Sequence, residues 1–579
     1  MAVKIYFSLF TLAILIAALS ACGGSGSSTE TSDTPDTPQE PFENVPPSVV
    51  SVSPVNGSNN VSRSASITAT FDEALFALSI DDTSFTLSDS NNIVSENPQL
   101  NSETASTISL TGSNLRYLTP YTATLETGIT DLAGNPLAEA YSWYFTTEDG
   151  QWGTAQEIDS VADSAIFPQL SSDPSGNAIA VWMQKHEGQY RIWTNRYDHE
   201  TDNWTTASLI ENTATEGSAQ YPQIAMDNNG NGLAVWKQEQ GINSNTYTIS
   251  SSRYNSSDNT WSDAQLVSIE NATSVAFSEI VFDRQGDAIA VWNQTDDGQN
   301  NIWANRYSVI DNSWGSAVTI DQTENDTSEP KIAVDLNGNA LVVWHQREAN
   351  AVKSIWTNRY LAESNSWGSP VVIETGDGDA PLANGVSNAQ IAIDTAGNGI
   401  AVWSQHDGTE DSIWVNRYDL ATTSWGTAHL IEHDEGDART PQIAMDTLGN
   451  AMVLWYQSNG NVDITRFNRY SATSNSWGTA SEIETGAGHA YGQQLAFDAS
   501  NNALAIWKQA DVAIFSIRAI RYEAETNNWG TSVKIESDSG DTDYPQLSID
   551  GFGNAWAIWQ QDDSAETGTQ NSIMVNHFN

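Results

Sequence analysis

One stretch of the sequence reads Pro330-Lys-Ile-Ala-Val-Asp-Leu-Asn-Gly-Asn-Ala-Leu-Val-Val-Trp-His-Gln346. It belongs to one of eight similar repeats that fill the chain from Trp152 to its C-terminus. The complete repeat consists of W-G-T-A-x-x-I-E, a variable loop, P-Q-I-A-x-D-x-x-G-N-A-x-A-V-W-x-Q and then I-W-x-N-R-Y. Each copy has an anchor tryptophan in its A-V-W-x-Q segment, and successive anchors lie 52 to 59 residues apart. The anchors are Trp182, Trp236, Trp292, Trp344, Trp403, Trp455, Trp507 and Trp559. A unit of this length cannot bury its own faces alone, so the copies must stack into one body.

Each copy contains four short runs that are typical of β-strands. In the fourth copy these runs are Trp314–Ile320, Lys331–Val334, Ala340–His345 and Ser354–Tyr360. Four strands in about 50 residues are typical of one blade of a β-propeller, with a period close to that of kelch repeats. We therefore predict an all-β protein with an eight-bladed propeller of four-stranded blades at residues 150–579.

The order of the runs indicates how the ring closes. A lone strand at 152–158 precedes the first full copy, and the last copy ends at 573–578 without a following W-G strand. The lone strand can complete the last blade, which removes exposed strand edges. A solenoid is the alternative architecture, but it needs divergent polar caps, and neither end of the repeat region carries an obvious one.

The N-terminus has the pattern of an export signal. Lys4 precedes an apolar run from Ile5 to Leu19, and Leu19-Ser-Ala-Cys22 closely resembles the lipobox of bacterial lipoproteins. The resemblance implies that residues 1–21 are a lipoprotein signal peptide and that Cys22, the only cysteine, carries a lipid. An ordinary signal peptide with a chance cysteine is the alternative.

The same resemblance predicts where the protein is located. Gly23 stands where an aspartate would resemble an inner-membrane retention signal, which favours the outer membrane in a cell that has two. Residues 22–46 comprise the lipidated cysteine and a Gly/Ser- and then Thr/Asp/Pro-rich tether, which cannot bury enough apolar surface to fold. We therefore expect a lipid-anchored protein of the cell envelope, held to the membrane by its N-terminal lipid.

Residues 47–148 have the pattern of a small β-sandwich. Short alternating runs such as Ile67–Phe71 and Tyr121–Leu125 are separated by turn signals. With Asp131-Leu-Ala-Gly-Asn135 and Trp143-Tyr-Phe-Thr-Thr147, this segment resembles the bacterial Ig-like domain of S-layer proteins. The resemblance implies a seven-stranded spacer, usually without catalysis of its own.

The charge of the chain excludes some classes of partner. Against 22 Lys and Arg stand 73 Asp and Glu, for a net charge of −51. This charge repels nucleic acid phosphates and anionic lipid headgroups, so we expect no nucleic-acid partner. It suits an exported protein with a solvated acidic surface.

An aspartate lies nine positions before each anchor tryptophan. We interpret this aspartate as structural, because a catalytic residue is needed once and this one recurs in every copy. It opens an Asp-x-x-Gly-Asn type turn, where its carboxylate can accept backbone N–H bonds. Calcium is the rival interpretation, but one carboxylate per turn is too few for about six to eight oxygen ligands. The turn resembles the sialidase Asp-box only in its aspartate and glycine, so we infer no sialidase. The eight residues are Asp173, Asp227, Asp283, Asp335, Asp394, Asp446, Asp498 and Asp550.

Two further recurrent features are expected to join strands and blades. A glutamine two residues after each anchor tryptophan shares its face, because side chains alternate along a strand. We expect its amide to be buried and bonded to a neighbouring blade, with a ring of amides facing a ligand as the alternative. Seven copies carry an Arg-Tyr pair, the eighth has His577-Phe578, and an acid ends each W-G strand. With so few cations, we expect each arginine to pair with such an acid.

Function is expected in the loops that differ between copies, after W-G-T-A-x-x-I-E and after A-V-W-x-Q. Copies five, six and eight carry dense carboxylates on glycine-bearing loops, which suit calcium or are simply solvated. No other cofactor is indicated, and the histidines lack metal-site spacing. In copy seven, His489 and Tyr491 could abstract a proton in a polysaccharide lyase. The candidate calcium ligands are Asp377, Asp379, Asp434, Glu435, Asp437, Asp538, Asp541 and Asp543.

Two functions therefore remain open. The first is a non-catalytic envelope lipoprotein that binds a protein or glycan through its propeller loops; near-identical blades without a unique acid/base constellation favour it. The alternative is a carbohydrate-active enzyme, a lyase or glycosidase, on the same propeller. An enzyme should show a cleft with two converging carboxylates or a His/Tyr/Arg cluster from different blades, and a binder should show a shallow funnel lined by repeated groups.

Overall fold

The computed structural model describes residues 45–579 apart from short internal segments. In the part that it describes, the only helical segment is the 3-10 turn Ala77–Ser79, and no helix is long and apolar enough to cross a bilayer. The prediction of an all-β protein is therefore confirmed. The segments left out are 90–92, 95–97, 111–114, 160–162, 212–216, 271, 297, 322–325, 348–352, 375–385, 407–408, 484–487, 512–513, 537–539 and 563–569.

The N-terminal domain is a sandwich of two four-stranded sheets. Its core consists of alternate side chains such as Ile67, Ala69 and Phe71, which face Trp143 of the other sheet and are at most 3% exposed. The structure has one strand more than the seven that the resemblance implied. In spatial order, one sheet contains Val49–Ser53, Ile67–Phe71, Thr107–Leu110 and Gln99–Leu100, and the other contains Ser58–Val61, Tyr141–Thr147, Pro120–Leu125 and Phe85–Ser88.

The repeats form eight antiparallel sheets, which are the blades of the propeller. The inner strands of blades one to eight are Ala165–Ser172, Ala219–Met226, Ser274–Phe282, Thr327–Val334, Val386–Ile393, Ala438–Met445, Ala490–Phe497 and Thr542–Ile549. The second strands are Ala178–His186, Gly232–Glu239, Ala288–Asp296, Ala340–Arg347, Gly399–His406, Ala451–Ser458, Ala503–Asp511 and Ala555–Asp562. The third strands are Gln189–Asp198, Tyr247–Asn255, Gln299–Ser308, Lys353–Leu361, Asp411–Asp419, Asp463–Ser471, Ile514–Glu523 and Asn571–Phe578.

The outer strand of each blade is short and comes in two pieces, both paired to the third strand. In blades one to seven these pieces are Asn203–Trp204 and Ser208–Leu209, Thr260–Trp261 and Gln265–Leu266, Ser313–Trp314 and Val318–Thr319, Ser366–Trp367 and Val371–Val372, Ser424–Trp425 and His429–Leu430, Ser476–Trp477 and Ser481–Glu482, and Asn528–Trp529 and Val533–Lys534.

The ring closes as the sequence predicts. The outer strand of blade eight is Gln156–Glu157, from the start of the repeat region, and its partners are Val575 and Met574 near the C-terminus. Trp152 makes a further bridge to Phe578, and their rings lie 5.5 Å apart edge to face. The two ends of the repeat region are therefore tied together by backbone hydrogen bonds, which leaves no open sheet edge between blades one and eight.

The second strands hold the blades together because both of their faces are buried. In blade one, Ala180 and Trp182 pack with Ile558 of blade eight, while Ile179 on the other face packs with Trp236 of blade two. All eight anchor tryptophans are fully buried. A strand covered on both faces has a nearly continuous apolar sequence, which explains the A-x-A-V-W segment.

The propeller has two faces that differ in their connections. We define the turn face as the one with the eight Asp-x-x-Gly-Asn type turns between inner and second strands. We define the loop face as the opposite one, where the variable loops enter the inner strands and join second to third strands. The Ig-like domain contacts the turn face of blades seven and eight: Arg63 Nη1 donates to Asn554 Oδ1 at 2.9 Å, and the hydroxyls of Thr119 and Ser500 lie 2.7 Å apart.

Candidate functional site

The recurrent aspartates bond within their own turns. In blade one, Asp173 Oδ1 accepts the backbone N–H groups of Ser175 and Asn177, both at 2.9 Å, and its Oδ2 accepts the Asn177 side-chain amide at 2.8 Å. The full pattern repeats in six other blades, for example at Asp335, and in blade three Asp283 accepts the two backbone N–H groups only, because Asp287 replaces the asparagine. With both oxygens engaged by the turn, this carboxylate has the geometry that the structural interpretation requires.

Each recurrent glutamine is bonded inside its own blade. In all eight blades its Oε1 accepts the indole N–H of the anchor tryptophan two residues earlier, at 3.0 Å between Trp182 and Gln184. The Gln184 amide donates to the carbonyl of Asp163, in the loop that leads into the same blade. The expected bond to a neighbouring blade is present at Gln184 and Gln457, whose amides also donate to the acid that ends the preceding blade's outer strand, to Asp159 Oδ2 at 3.5 Å and to Glu432 Oε2 at 3.1 Å.

The ion pairs that the Arg-Tyr arginines make among the described residues are with other acids than those we expected, which end the W-G strands. Arg469 lies 3.7 Å from the turn aspartate Asp446, and its guanidinium stacks 5.5 Å from the ring centroid of Tyr522 in the next blade. The acids instead accept backbone amides, as Glu211 Oε1 accepts Ile192 N–H at 3.1 Å. The reason is position on the third strand: the acid bonds near one end and the arginine lies four residues further, about 13 Å along the strand.

An asparagine that the sequence analysis did not single out joins neighbouring blades. The Asn195 side-chain amide donates at 3.0 Å to the carbonyl of Ile158, on the outer strand of the preceding blade. Its recurrence before Arg-Tyr was the signal that could have indicated this role. The same bond to the preceding outer strand is made by Asn305, Asn358, Asn416, Asn468 and Asn576.

Four of the five candidate calcium ligands that the structure describes contact basic side chains or backbone amides. Asp434 pairs with Arg466, and Asp437 Oδ2 accepts Arg439 at 2.9 Å. Asp541 Oδ1 accepts the Phe515 N–H at 2.7 Å, and Asp543 Oδ1 accepts Lys508 at 2.6 Å. Among the described residues, no three His, Cys, Asp or Glu side chains come together as a metal site. Glu435 lies in the same loop as Asp434 and Asp437, whereas Asp377, Asp379, Asp538 and Cys22 lie outside the described residues.

The loop-face end of the central channel carries a feature that the sequence analysis missed. Each inner strand has one bulged residue with positive φ, near the point where the strand begins. Four consecutive blades, eight, one, two and three, place an aromatic residue there, and blades four to seven place Glu, Asn, Thr and Gly. The eight residues are Tyr544, Phe167, Tyr221, Phe277, Glu329, Asn388, Thr440 and Gly492.

We call Tyr544, Phe167, Tyr221 and Phe277 the aromatic half-ring. The Phe167 ring lies 4.7 Å from the Tyr544 ring and 5.2 Å from the Tyr221 ring, in tilted and edge-to-face contacts. Phe277, Tyr221 and Tyr544 are 54%, 52% and 42% exposed. Three large, half-exposed aromatic rings are therefore collected at one side of the channel mouth. The sequence signal was the aromatic before Pro-Gln in three of the copies.

A cavity of about 640 Å³ adjoins the half-ring inside the channel. Its walls include Phe167, Tyr221 and Phe277, with the amides of Gln169 and Gln223 beneath them. Its volume lies in the range of small-ligand sites. The loop face thus presents a concave site with apolar rings at the rim and amides inside.

A second cluster on the loop face unites residues of blades six and seven. Asp463 Oδ2 accepts the Tyr491 hydroxyl at 2.5 Å and lies 2.9 Å from Nδ1 of His489. Burial, followed by the hydrogen bond to Asp463, raises the pKa of Tyr491. Tyr456 contacts the Tyr491 ring edge to face at 5.2 Å. The His489–Tyr491 pair proposed from the sequence is therefore close in space, with the Tyr491 hydroxyl 3.1 Å from His489 Nδ1 and one carboxylate oxygen of Asp463 in contact with both side chains.

The N-terminal domain matches a known family. Residues 43–147 match the family model of the bacterial Ig-like domain. The resemblance stated for this segment is thus confirmed. No curated protein matches the chain as a whole.

Solved structures share the propeller. The Dos1 propeller is 7% identical with a TM-score of 0.43, covering 74% of this chain and 94% of its own. The ulvan lyase of polysaccharide lyase family PL25 is 9% identical with a TM-score of 0.41, covering 73% and 95%. The Hadza microbial sialidase Hz136 is 14% identical with a TM-score of 0.34, covering 64% and 77%.

Proposed function

We propose that the protein is a cell-envelope lipoprotein whose propeller binds a protein or glycan ligand at its loop face. The aromatic half-ring carries the proposal. Exposed aromatic rings around a concave site are typical of binding surfaces, because they contribute large contact areas at a low cost in side-chain entropy. The recurrent Asp, Trp, Gln and Asn side chains already bond within or between blades, so they are not available for a ligand.

The position of the Ig-like domain supports this use of the loop face. Its contacts, through Arg63 and Thr119, are with turns on the opposite face of the propeller. A chain anchored through Cys22 would therefore be joined to the propeller from the turn face, which leaves the channel mouth uncovered by its own spacer. Lipid attachment and an outer-membrane location are part of the proposal, as the sequence indicates.

The binding function is tested by capture from solubilised native cell envelope. The bait is the mature chain with Cys22→Ser, compared with the same bait carrying Tyr221→Gly and Phe277→Gly. We expect an envelope component that the first bait retains and the second loses. If both baits captured the same components equally, the half-ring would not be part of the binding site. Anchoring is tested separately: Cys22→Ser should move the full-length protein from the membrane to the soluble fraction.

A carbohydrate-active enzyme is the second candidate, and the cluster of Asp463, His489 and Tyr491 favours it. A carboxylate that orients an imidazole beside a phenol is a common acid–base arrangement, and here the groups come from two blades. The test is a panel of neutral and acidic polysaccharides incubated with the protein and with His489→Ala. Degradation that depends on His489 would replace the binding function with an enzymatic one.

A further inference from the structure

We propose that the aromatic half-ring and the cavity below it bind the terminal rings of a neutral glycan chain. The inference rests on the proposed binding function and assigns the class of ligand. It is drawn from the choice of residues at the eight bulges, from the polar groups inside the cavity and from the balance of charge in its walls.

The residues at the bulges are not chosen for backbone geometry alone. The φ angles of Phe167, Tyr221 and Phe277 are 55°, 52° and 52°, a left-handed conformation that bulky residues rarely adopt. Blade seven meets the same requirement with Gly492, at a φ of 67°, and blade five with Asn388. Glu329 and Thr440 share this conformation in blades four and six, at 56° and 48°, so the feature particular to blades eight, one, two and three is the aromatic side chain, placed at strained positions of the kind that cluster at functional sites.

The geometry of the rings suits a sugar. One face of a pyranose ring presents C–H groups, which pack on aromatic rings, and its rim presents hydroxyls, which both donate and accept. Below the rings, Gln169, Gln223 and Gln390 line the cavity. An amide offers a donor and an acceptor side by side, so these groups can pair with hydroxyls at the edge of a stacked sugar.

The balance of charge in the cavity favours a neutral ligand. Lys331 forms an ion pair with Glu279. With Lys237 and Glu329, the walls contain two positive and two negative side chains. No excess cation is therefore present to hold a uronate or a sulfated sugar, and the net charge of −51 repels polyanions at long range. The concave mouth on the propeller axis admits the end of a chain more readily than the surface of a folded protein.

The experiment is isothermal titration of the soluble mature chain, Cys22→Ser, with cellohexaose, xylohexaose, maltohexaose and laminarihexaose, and with hexagalacturonate as the anionic probe. Tyr221→Gly with Phe277→Gly removes two rings and keeps the φ angles permissible. The matched control is Ile310→Gly with Leu448→Gly, which removes two apolar side chains, 90% and 60% exposed, at the turn face.

We expect at least one neutral hexasaccharide to bind, hexagalacturonate not to bind, and the loss of the two rings to weaken binding about tenfold or more, with the control unchanged. Absence of binding to every neutral probe, or equal binding by the half-ring variant, overturns the glycan assignment. If envelope capture still depends on Tyr221 and Phe277 when no glycan binds, the binding function stands with a protein ligand. If capture is also independent of them, both proposals fail.

Discussion

Arg63 of the Ig-like domain donates from Nη1 to Oδ1 of Asn554, in the turn of blade eight, at 2.9 Å. In blade seven the arginine of the Arg-Tyr pair, Arg521, lies 2.7 Å from its turn aspartate, Asp498. Blade eight has His577 in place of this arginine. Arg63 thus brings to the turn of blade eight a guanidinium that the blade itself lacks. The spacer domain is consequently joined to the turn of blade eight by a guanidinium contact like the one that blade seven makes within itself.

The contact of Arg63 predicts a coupling between the two domains. Arg63→Met should lower the free energy of unfolding by about 1–3 kcal/mol, because it leaves Asn554 Oδ1 and the face of the Tyr117 ring without their cationic partner. Differential scanning calorimetry should then show the Ig-like domain unfolding separately. Arg284→Met, an exposed arginine in the turn of blade three, is the control and should leave one transition. A single transition in Arg63→Met would contradict the coupling.

The bond between the anchor tryptophan and its glutamine predicts a loss of stability that depends on burial. Gln238 is 1% exposed, accepts the Trp236 indole N–H at 2.9 Å and donates to the Gly217 carbonyl at 3.1 Å. Gln238→Leu leaves the Trp236 indole N–H buried without a partner and removes one of two donors to the Gly217 carbonyl, so urea unfolding should show a loss of about 1–3 kcal/mol. Gln285→Leu, at an exposed turn position, should change stability by less than about 0.5 kcal/mol. Equal losses of stability in the two variants would show that the hydrogen bonds of the Gln238 amide do not stabilise the fold.

Blade eight predicts a dependence of stability on pH. Burial lowers the pKa of His577 to about 4, and its ring stacks on Trp556 at 4.0 Å. A histidine whose folded pKa lies below its unfolded value of about 6.5 is protonated first in the unfolded chain. The contribution of His577 to stability is therefore complete above about pH 6.5, and up to about 3 kcal/mol of it is lost as the pH falls toward 4.

The test of this pH dependence is His577→Phe, which keeps an aromatic ring against Trp556 and removes the titration. Urea unfolding at pH 7 and at pH 4.5 should show a smaller difference for this variant than for the native chain. His429→Phe, at an exposed histidine, should keep the native difference. An unchanged difference in His577→Phe would assign the acid sensitivity to other groups.

The position of Tyr221 in the half-ring predicts that removing its side chain weakens ligand binding but changes the stability of the fold little. Glycine adopts a φ of 52° without a steric penalty but loses more chain entropy on folding, so Tyr221→Gly should change the free energy of unfolding by less than about 1 kcal/mol. Tyr221→Val removes the same ring but places a β-branched residue in the left-handed region, and should cost about 1–2 kcal/mol more. Chemical denaturation measures both. If Tyr221→Val were as stable as Tyr221→Gly, the backbone at this position would not be strained.

The sequence predicted the parts of the molecule that depend on repetition. The spacing of the anchor tryptophans predicted the blades, and the strand at 152–158, which has no blade of its own, predicted the closure, because a repeat of four strands leaves the last copy one strand short. It did not predict the partner of the arginines, because the acid and the arginine share a blade but lie at different ends of a strand. The glutamines share a face with the tryptophans as expected, and those of blades one and six make the expected bond to the preceding blade, but the bond to the anchor indole within the same blade was not predicted.

By itself, then, the sequence determined an all-β chain with an Ig-like domain, eight blades and a ring closed by its first strand. These follow from short-range patterns: the period-two alternation, the turn residues and the repeat length. Only the tertiary structure decided which unrepeated residues meet. Phe167 and Tyr544 are 377 positions apart in sequence, yet their rings lie 4.7 Å apart because ring closure brings blades one and eight together. A site on the axis of a closed ring is created by closure, so no single repeat contains it.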